Sequence, residues 1–206
     1  MRLHDFPYSP NCKKVRAVAY ELDIPLDCVT VNLFDGARAP EFLAKNPNGR
    51  VPVLEDGDFV LWESTAIMRY LARGSALLPA DPRRAADMDR WIAWQLAHLG
   101  PAMSKVARER IVKALRGHGE PDLARIAEGT AEFHAATAVL EASLADDGYL
   151  AGPLSLADFA LAPHYDLAGA CQLDLTPYPR VTSWLTRVCA RPSMQRAIHY
   201  DTQARP

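Results

Sequence analysis

An α/β N-terminal domain of order βαβαββα, followed by an all-α helical bundle, is what the 206-residue sequence predicts. Three observations carry that reading. Up to Arg73, short strand-like runs alternate with helical periods. From Gly74 to Arg83, with Pro79 and Pro82, turn residues replace any apolar period. Beyond that stretch, apolar residues recur at spacings of three and four. The expected boundaries are residues 1–76, a linker at 77–84 and a helical domain at 85–206. At 49% hydrophobic, the chain can bury a core in each part.

Arg2 to Phe6 reads as a short strand, ended by the turn Pro7-Tyr8-Ser9-Pro10. Val15, Val18, Ala19 and Leu22 fall at i, i+3, i+4 and i+7, so Asn11 to Leu22 is an amphipathic helix with Lys13 and Lys14 on its solvated side. Val29, Val31 and Leu33 alternate with polar neighbours, giving a second strand one crossover away and hence parallel to the first. Glu41 to Lys45 is a short helix stopped by Asn46-Pro47-Asn48-Gly49.

The stretch from Gly49 to Leu71 organises the rest. Strands at Val53 to Glu55 and Phe59 to Leu61 flank an Asp56-Gly57 turn, a strong local hairpin signal. Val51-Pro52 just before them is a suitable place for a cis peptide bond. Glu63-Ser64 opens the next helix, whose first amides lack intrahelical partners and attract a carboxylate, while Glu63 can hold an ammonium. Together they suit a zwitterionic amino-acid head, and the Val51 backbone suits an extended peptide. The plain alternative for Glu63-Ser64 is an ordinary helix cap.

In the helical half, Met88, Trp91, Ile92, Gln95 and Leu99 share one stripe of a long helix that Gly100-Pro101 must bend or interrupt. Leu123, Ile126, Thr130, Phe133, Thr137, Leu140 and Leu144 form the most regular stripe. Ser155-Leu156-Ala157-Asp158 is a capping box preceded by Leu154, and it starts a buried helix containing Pro163. Val181, Trp184, Leu185 and Val188 mark the last clear stripe, and a short segment runs on to His199.

The net charge of -2 and a pI near 6.3 give no reason to expect nucleic acid or an anionic membrane as partner. No apolar run reaches membrane-spanning length, and Met1 leads into a strand without a signal-peptide pattern. Cys12, Cys28, Cys171 and Cys189 are scattered and have no histidines at metal spacing. A reduced, metal-free, cytoplasmic protein is the expectation.

Four motifs in order then resemble the glutathione S-transferase family along nearly the whole chain. These are Ser9-Pro10-Asn11-Cys12, Asn46 to Pro52, Trp62-Glu63-Ser64 and Leu154 to Asp158. The resemblance implies a thioredoxin-like N-terminal domain, the glutathione S-transferase fold, glutathione as co-substrate and a homodimer. It implies that Glu63 and Ser64 hold the γ-glutamyl head, that Val51, ahead of Pro52, pairs its backbone with the cysteinyl unit, and that Arg50 reaches the glycyl carboxylate.

The same resemblance, to serine-type members of the theta and delta classes, implies that the Ser9 hydroxyl stabilises the glutathione thiolate. The plain alternative for Ser9 is a cap or turn residue. Cys12 is an alternative nucleophile for mixed disulfides, and as plainly a small buried hydrophobe. Asn11 resembles the bacterial nu class, in which disulfide reduction is favoured. An electrophile pocket is expected between the domains, with His98, Met103, Val106 and Tyr165 as lining. His98 and Met103 are equally well read as structural residues. The function implied is conjugation of glutathione to small hydrophobic electrophiles. Glutathione-dependent disulfide or peroxide reduction and a non-catalytic interaction module are the alternatives.

Overall fold

The structure is a computed structural model that describes residues 1–33 and 35–200. Residues 201–206, the end of the expected helical domain, lie outside the described residues. Contacts divide the chain into two compact units, Met1–Leu78 joined by the segment from Cys189 onward, and Pro79–Val188.

The first unit contains β1 (Arg2–Asp5), α1 (Pro10–Glu21), β2 (Asp27–Thr30), α2 (Pro40–Leu43), β3 (Val53–Asp56), β4 (Phe59–Trp62), α3 (Ser64–Leu71) and, from the far end of the chain, α10 (Pro192–Ile198). Its four strands are ordered β2-β1-β3-β4. β2 runs parallel to β1, while β3 is antiparallel to both β1 and β4. This is the expected βαβαββα arrangement.

Two strand details differ from expectation. β2 lies earlier than the Val29-Val31-Leu33 alternation implies, with Arg2 opposite Asp27 and Asp5 opposite Thr30. β1 ends at Asp5, whose carbonyl still accepts from Val31 N at 2.8 Å, and Cys28 rather than Val29 is buried. In the hairpin, Asp56 pairs with Phe59, so the loop is Gly57-Asp58, with the positive φ of 64° falling on Gly57. The Val51-Pro52 bond is cis.

Leu3, Val53 and Leu54 of the sheet are buried, as are Val15, Val18 and Ala19 of α1 and Ile67, Met68 and Leu71 of α3. α1 packs against both α3 and α10. Arg16 joins these pieces. Its Nη1 lies 2.6 Å from each Asp5 carboxylate oxygen, and its Nη2 donates to the carbonyls of Pro7 at 2.8 Å and Ala197 at 2.9 Å. Both charged partners are fully buried, and the four short bonds from Nη1 and Nη2 offset the desolvation of the pair, while Arg16 Nε is buried without a partner among the described residues. Lys13 and Lys14 also depart from expectation. They are buried, not solvated, because α1 is covered on more than one side.

The second unit is helical. α4 (Pro82–Trp94) is capped by Asp81, whose carboxylate accepts from Arg84 N at 2.8 Å. A wider π-type turn over Gln95–Leu99 precedes α5 (Gly100–Ala107), at the place where Pro101 removes a helical donor. A second such turn, Arg108–Val112, leads into α6 (Lys113–Arg116).

α7 (Leu123–Ser143) buries Ile126, Phe133, Thr137 and Leu140 as its stripe predicts. Leu123, at its first turn, is exposed instead. Gly129 lets α7 approach α5 closely, since a Cβ there would meet Lys105 Cβ at 2.8 Å and Val106 Cγ2 at 2.9 Å. α8 (Leu156–Tyr165) is buried throughout and begins with the capping box of Ser155 and Asp158. α9 (Pro179–Cys189) buries Val181, Trp184 and Val188. Among the described residues, no helix is long and apolar enough to cross a membrane.

Candidate functional site

The loop after β1 and the start of α3 meet within the first unit. Ser9 precedes α1 in an extended conformation because Pro10 occupies the first helical position, where a missing N–H costs nothing. Ser9 is half-buried, and its hydroxyl makes no bond to the first-turn amides. Its backbone carbonyl accepts from Cys12 N at 3.0 Å and Lys13 N at 2.9 Å. Two residues on, Asn11 Oδ1 accepts from the Ser64 hydroxyl at 3.4 Å. That contact brings the first turns of α1 and α3 together.

Glu63 stands immediately before α3 with φ 70° and ψ 109°, a non-glycine residue on the positive side of φ. Such a conformation costs on the order of 1–3 kcal/mol and persists only where the surroundings enforce it. Here the Glu63 carbonyl accepts from Ile67 N at 3.0 Å, beginning the helix. Glu63 is exposed, Ser64 is buried, and the Thr65 hydroxyl is buried with no partner among the described residues. The first-turn amides of α3 and the positive end of its dipole complete a place for a carboxylate.

Val51 is half-buried against Val31, Ala37, Phe42 and Val53. Among the described residues, no hydrogen bond takes up its N–H or C=O. The cis bond to Pro52 precedes β3, so the Val51 backbone is an unpaired peptide edge. Asn46 builds this corner, its Nδ2 donating to the Arg50 carbonyl at 2.7 Å while its Oδ1 accepts from Asn48 N at 3.0 Å. The Arg50 side chain is exposed.

Cys12 is a correction. Its side chain is wholly inaccessible, and its sulfur accepts from Phe6 N at 3.4 Å. Burial first, then the nearby Asp5 charge, push its thiol far above the ordinary range. A neutral, buried thiol cannot attack a disulfide, so Cys12 is a core residue. Three expected pocket residues need the same correction. Met103 and Val106 are buried in α5, and Tyr165 is buried with its hydroxyl donating to Thr137 Oγ1 at 3.3 Å.

Of the four expected pocket residues, His98 lines an open cavity of about 660 Å³, with Trp94, Pro101, Lys105, Glu132 and Val139. A second cavity of about 570 Å³, between Ser104 and His118, carries Arg108, Lys113 and Arg116 and was not foreseen.

Sequence reasoning also missed Lys14. Its side chain is fully buried on α1, and desolvation lowers its pKa to about 8, opposed chiefly by the charge of Glu63. Its spacing of three from Asn11 is the available signal, whereas helical periodicity alone places it on the solvated side of α1.

A thioredoxin-like sheet domain followed in the same chain by an all-helical one defines the class of protein. Residues 3–77 match the family model for the glutathione S-transferase N-terminal domain, and residues 124–187 match that for the C-terminal domain. The chain belongs to the glutathione S-transferase family.

It is 36% identical to glutathione S-transferase 3 of Zea mays, covering 96% of this chain and 93% of that protein. It is 34% identical to glutathione S-transferase GstB of Escherichia coli K12, with 92% and 93% covered. Glutathione S-transferase I from maize, solved in complex with an atrazine glutathione conjugate, superposes with a TM-score of 0.86 at 30% identity, covering 96% of this chain and 95% of that one. The chain is thus a transferase that uses glutathione as its co-substrate.

Proposed function

We propose that the chain conjugates the glutathione thiolate to small hydrophobic electrophiles, with Ser9 stabilising the thiolate. The observation that carries the reading is the 3.4 Å contact between Asn11 and Ser64, because it joins the loop bearing Ser9 to the helix start bearing Glu63. Glu63 receives the amino group of the γ-glutamyl head, and Ser64 with the first α3 amides receives its carboxylate. The Val51 N–H and C=O pair with the cysteinyl unit in the manner of an added strand, and Arg50 reaches the glycyl carboxylate.

Held at both ends, glutathione brings its sulfur to the Ser9 hydroxyl. A free thiol with a pKa of about 8.5 is only about 3% thiolate at pH 7. One hydroxyl donor to an ionised sulfur stabilises it by about 1.5–3 kcal/mol. This lowers the pKa by about one to two and raises the thiolate fraction to about a quarter or more. The thiolate pair then forms the carbon–sulfur bond as the electrophile's leaving group departs with its own pair, or as an activated double bond takes up the charge.

Asn11 supports disulfide reduction as a second reading. Its carbonyl oxygen is engaged by Ser64, which leaves the amide N–H groups as donors for the same sulfur. Both readings require a cytoplasmic thiol pool, and a homodimer is the expected assembly.

The test is calorimetric binding of reduced glutathione followed by paired assays on an aryl halide and a model disulfide. Saturable binding with faster conjugation supports the first reading. Faster disulfide reduction transfers support to the second, and no binding at millimolar glutathione refutes both.

A further inference from the structure

We propose that Arg16 is a positioning residue for Ser9: its buried guanidinium, anchored to Asp5 at the end of β1, holds the Pro7 carbonyl and so fixes the turn that presents the Ser9 hydroxyl. The inference rests on the reading that Ser9 stabilises the thiolate of bound glutathione. The geometry of the turn leads to it.

Phe6, Pro7, Tyr8 and Ser9 form a tight turn, closed by the bond from Ser9 N to the Phe6 carbonyl at 3.0 Å. The Pro7 ring sets its own φ, and Pro10 restricts Ser9 to the extended conformation it shows, with φ -70° and ψ 123°. The soft element left in the turn is the peptide plane between Pro7 and Tyr8. Its two orientations distinguish type I from type II turns, and proline suits the second position of either. Tyr8 is not among the residues with positive φ, so the plane stands in the type I orientation.

The carbonyl of that plane is the one that Arg16 Nη2 holds at 2.8 Å. The same nitrogen donates to the Ala197 carbonyl of α10 at 2.9 Å, and Nη1 lies 2.6 Å from each Asp5 carboxylate oxygen. The Tyr200 ring covers the guanidinium, its centroid 4.8 Å from Cζ. The planar group therefore cannot turn without breaking bonds to a strand end and to a helix. A buried ion pair adds little net stability over apolar packing of the same volume. What it adds here is direction, a rigid donor aimed at a carbonyl two residues before Ser9.

Without that donor the Pro7 carbonyl rotates towards water, because a buried acceptor left unpaired is costly, and Ser9 moves with the plane. Arg16 is fully buried and acts through the turn. Glu63, Ser64 and Val51, which grip glutathione, belong to other segments. Thiolate formation and turnover depend on Arg16, whereas glutathione affinity does not.

The test is a cycle of D5V/R16M, which replaces the ion pair by apolar side chains of similar volume, S9A and the combined variant. Each is measured below its melting transition for glutathione Kd by calorimetry, for the pKa of the bound thiol by thiolate absorbance, and for kcat in conjugation. D5V/R16M is expected to raise the bound thiol pKa by about one and to lower kcat about tenfold, with Kd changed less than about threefold. In the S9A background the same replacement is expected to change kcat less than about twofold and to leave the thiol pKa in place.

An unchanged thiol pKa in D5V/R16M overturns the inference. An equal shift with and without Ser9 also overturns it, since a general loosening of the fold does not act through that hydroxyl. If D5V/R16M does not fold, R16K takes its place in the cycle, because it keeps the charge but lacks the planar pair of donors. Failure of both to fold overturns the inference in favour of a structural role. A wild-type chain that binds no glutathione, or an S9A variant with an unaltered thiol pKa, overturns the reading of Ser9 itself, and this inference with it.

Discussion

Asp158→Ala is expected to be among the most damaging single substitutions in the helical unit, and the structure gives its size. The buried carboxylate accepts from Leu150 N at 3.0 Å and Trp184 Nε1 at 2.9 Å through Oδ1, and from Ser155 N at 3.0 Å through Oδ2. Alanine leaves three N–H donors without acceptors around residues that are nearly inaccessible. Each costs about 1–3 kcal/mol when left unmade in the interior. Burial pushes the Asp158 carboxyl above its ordinary pKa, so removing the charge returns part of that cost.

A net loss of about 3–5 kcal/mol follows, a large share of the roughly 5–15 kcal/mol that stabilises a typical domain. Asp158→Asn keeps one acceptor oxygen for Leu150 and Trp184 and sets an amide donor against Ser155 N, so it is expected to lose about 1–2 kcal/mol. Urea unfolding followed by tryptophan fluorescence measures both, with Trp184 itself among the reporters. If the two variants each lose less than about 1 kcal/mol, the argument from unsatisfied donors is wrong.

Two further outcomes follow from the first unit. Cys12→Ala is expected to keep kcat within about twofold, and a disulfide reagent is expected to label only Cys189 in the native chain because the other three thiols are buried; a tenfold loss of turnover would restore Cys12 to the mechanism. Glu55 accepts from Lys45 Nζ at 2.6 Å and is paired with His4 Nε2. The Lys45 hydrogen bond first, then that of His4, hold its carboxyl below the ordinary glutamate range. A depressed carboxyl stabilises the fold above its unfolded pKa and loses that contribution as pH falls through the folded one. Wild-type Tm is therefore expected to drop more steeply than that of E55Q as pH falls below 4.5, and parallel curves would exclude the pair as a source of stability.

What the sequence disclosed and what it hid divide along the range of the interactions. The hairpin, the cis Val51-Pro52 bond and the capping box of α8 depend on neighbours within a few residues, so their chemistry was legible. The register of β2 was not, because the length of β1 sets it. Leu123 fits its helical stripe, yet it sits at the first turn of α7, where the covering core has ended. α10 returns to the first unit because the Arg16 guanidinium meets the Ala197 carbonyl, 181 residues away in sequence. At the site, the spacing of Ser9, Asn11, Glu63 and Ser64 was visible, and the Asn11–Ser64 contact is consistent with it. For Cys12 the structure takes the buried alternative over the nucleophile, whereas the burial of Lys14 was not visible, since helical periodicity describes one face while α1 is covered on more than one.

The ionisation of bound glutathione tests the central claim most directly. Titrating the thiolate ultraviolet absorbance of the binary complex, for wild type and Ser9→Ala, isolates the hydroxyl's contribution from binding and from product release. A bound thiol pKa near or below about 7.5 in wild type, rising by about one or more in Ser9→Ala with a matching fall in kcat, is the expected result. Equal pKa values and equal turnover in the two proteins would contradict the assignment of Ser9.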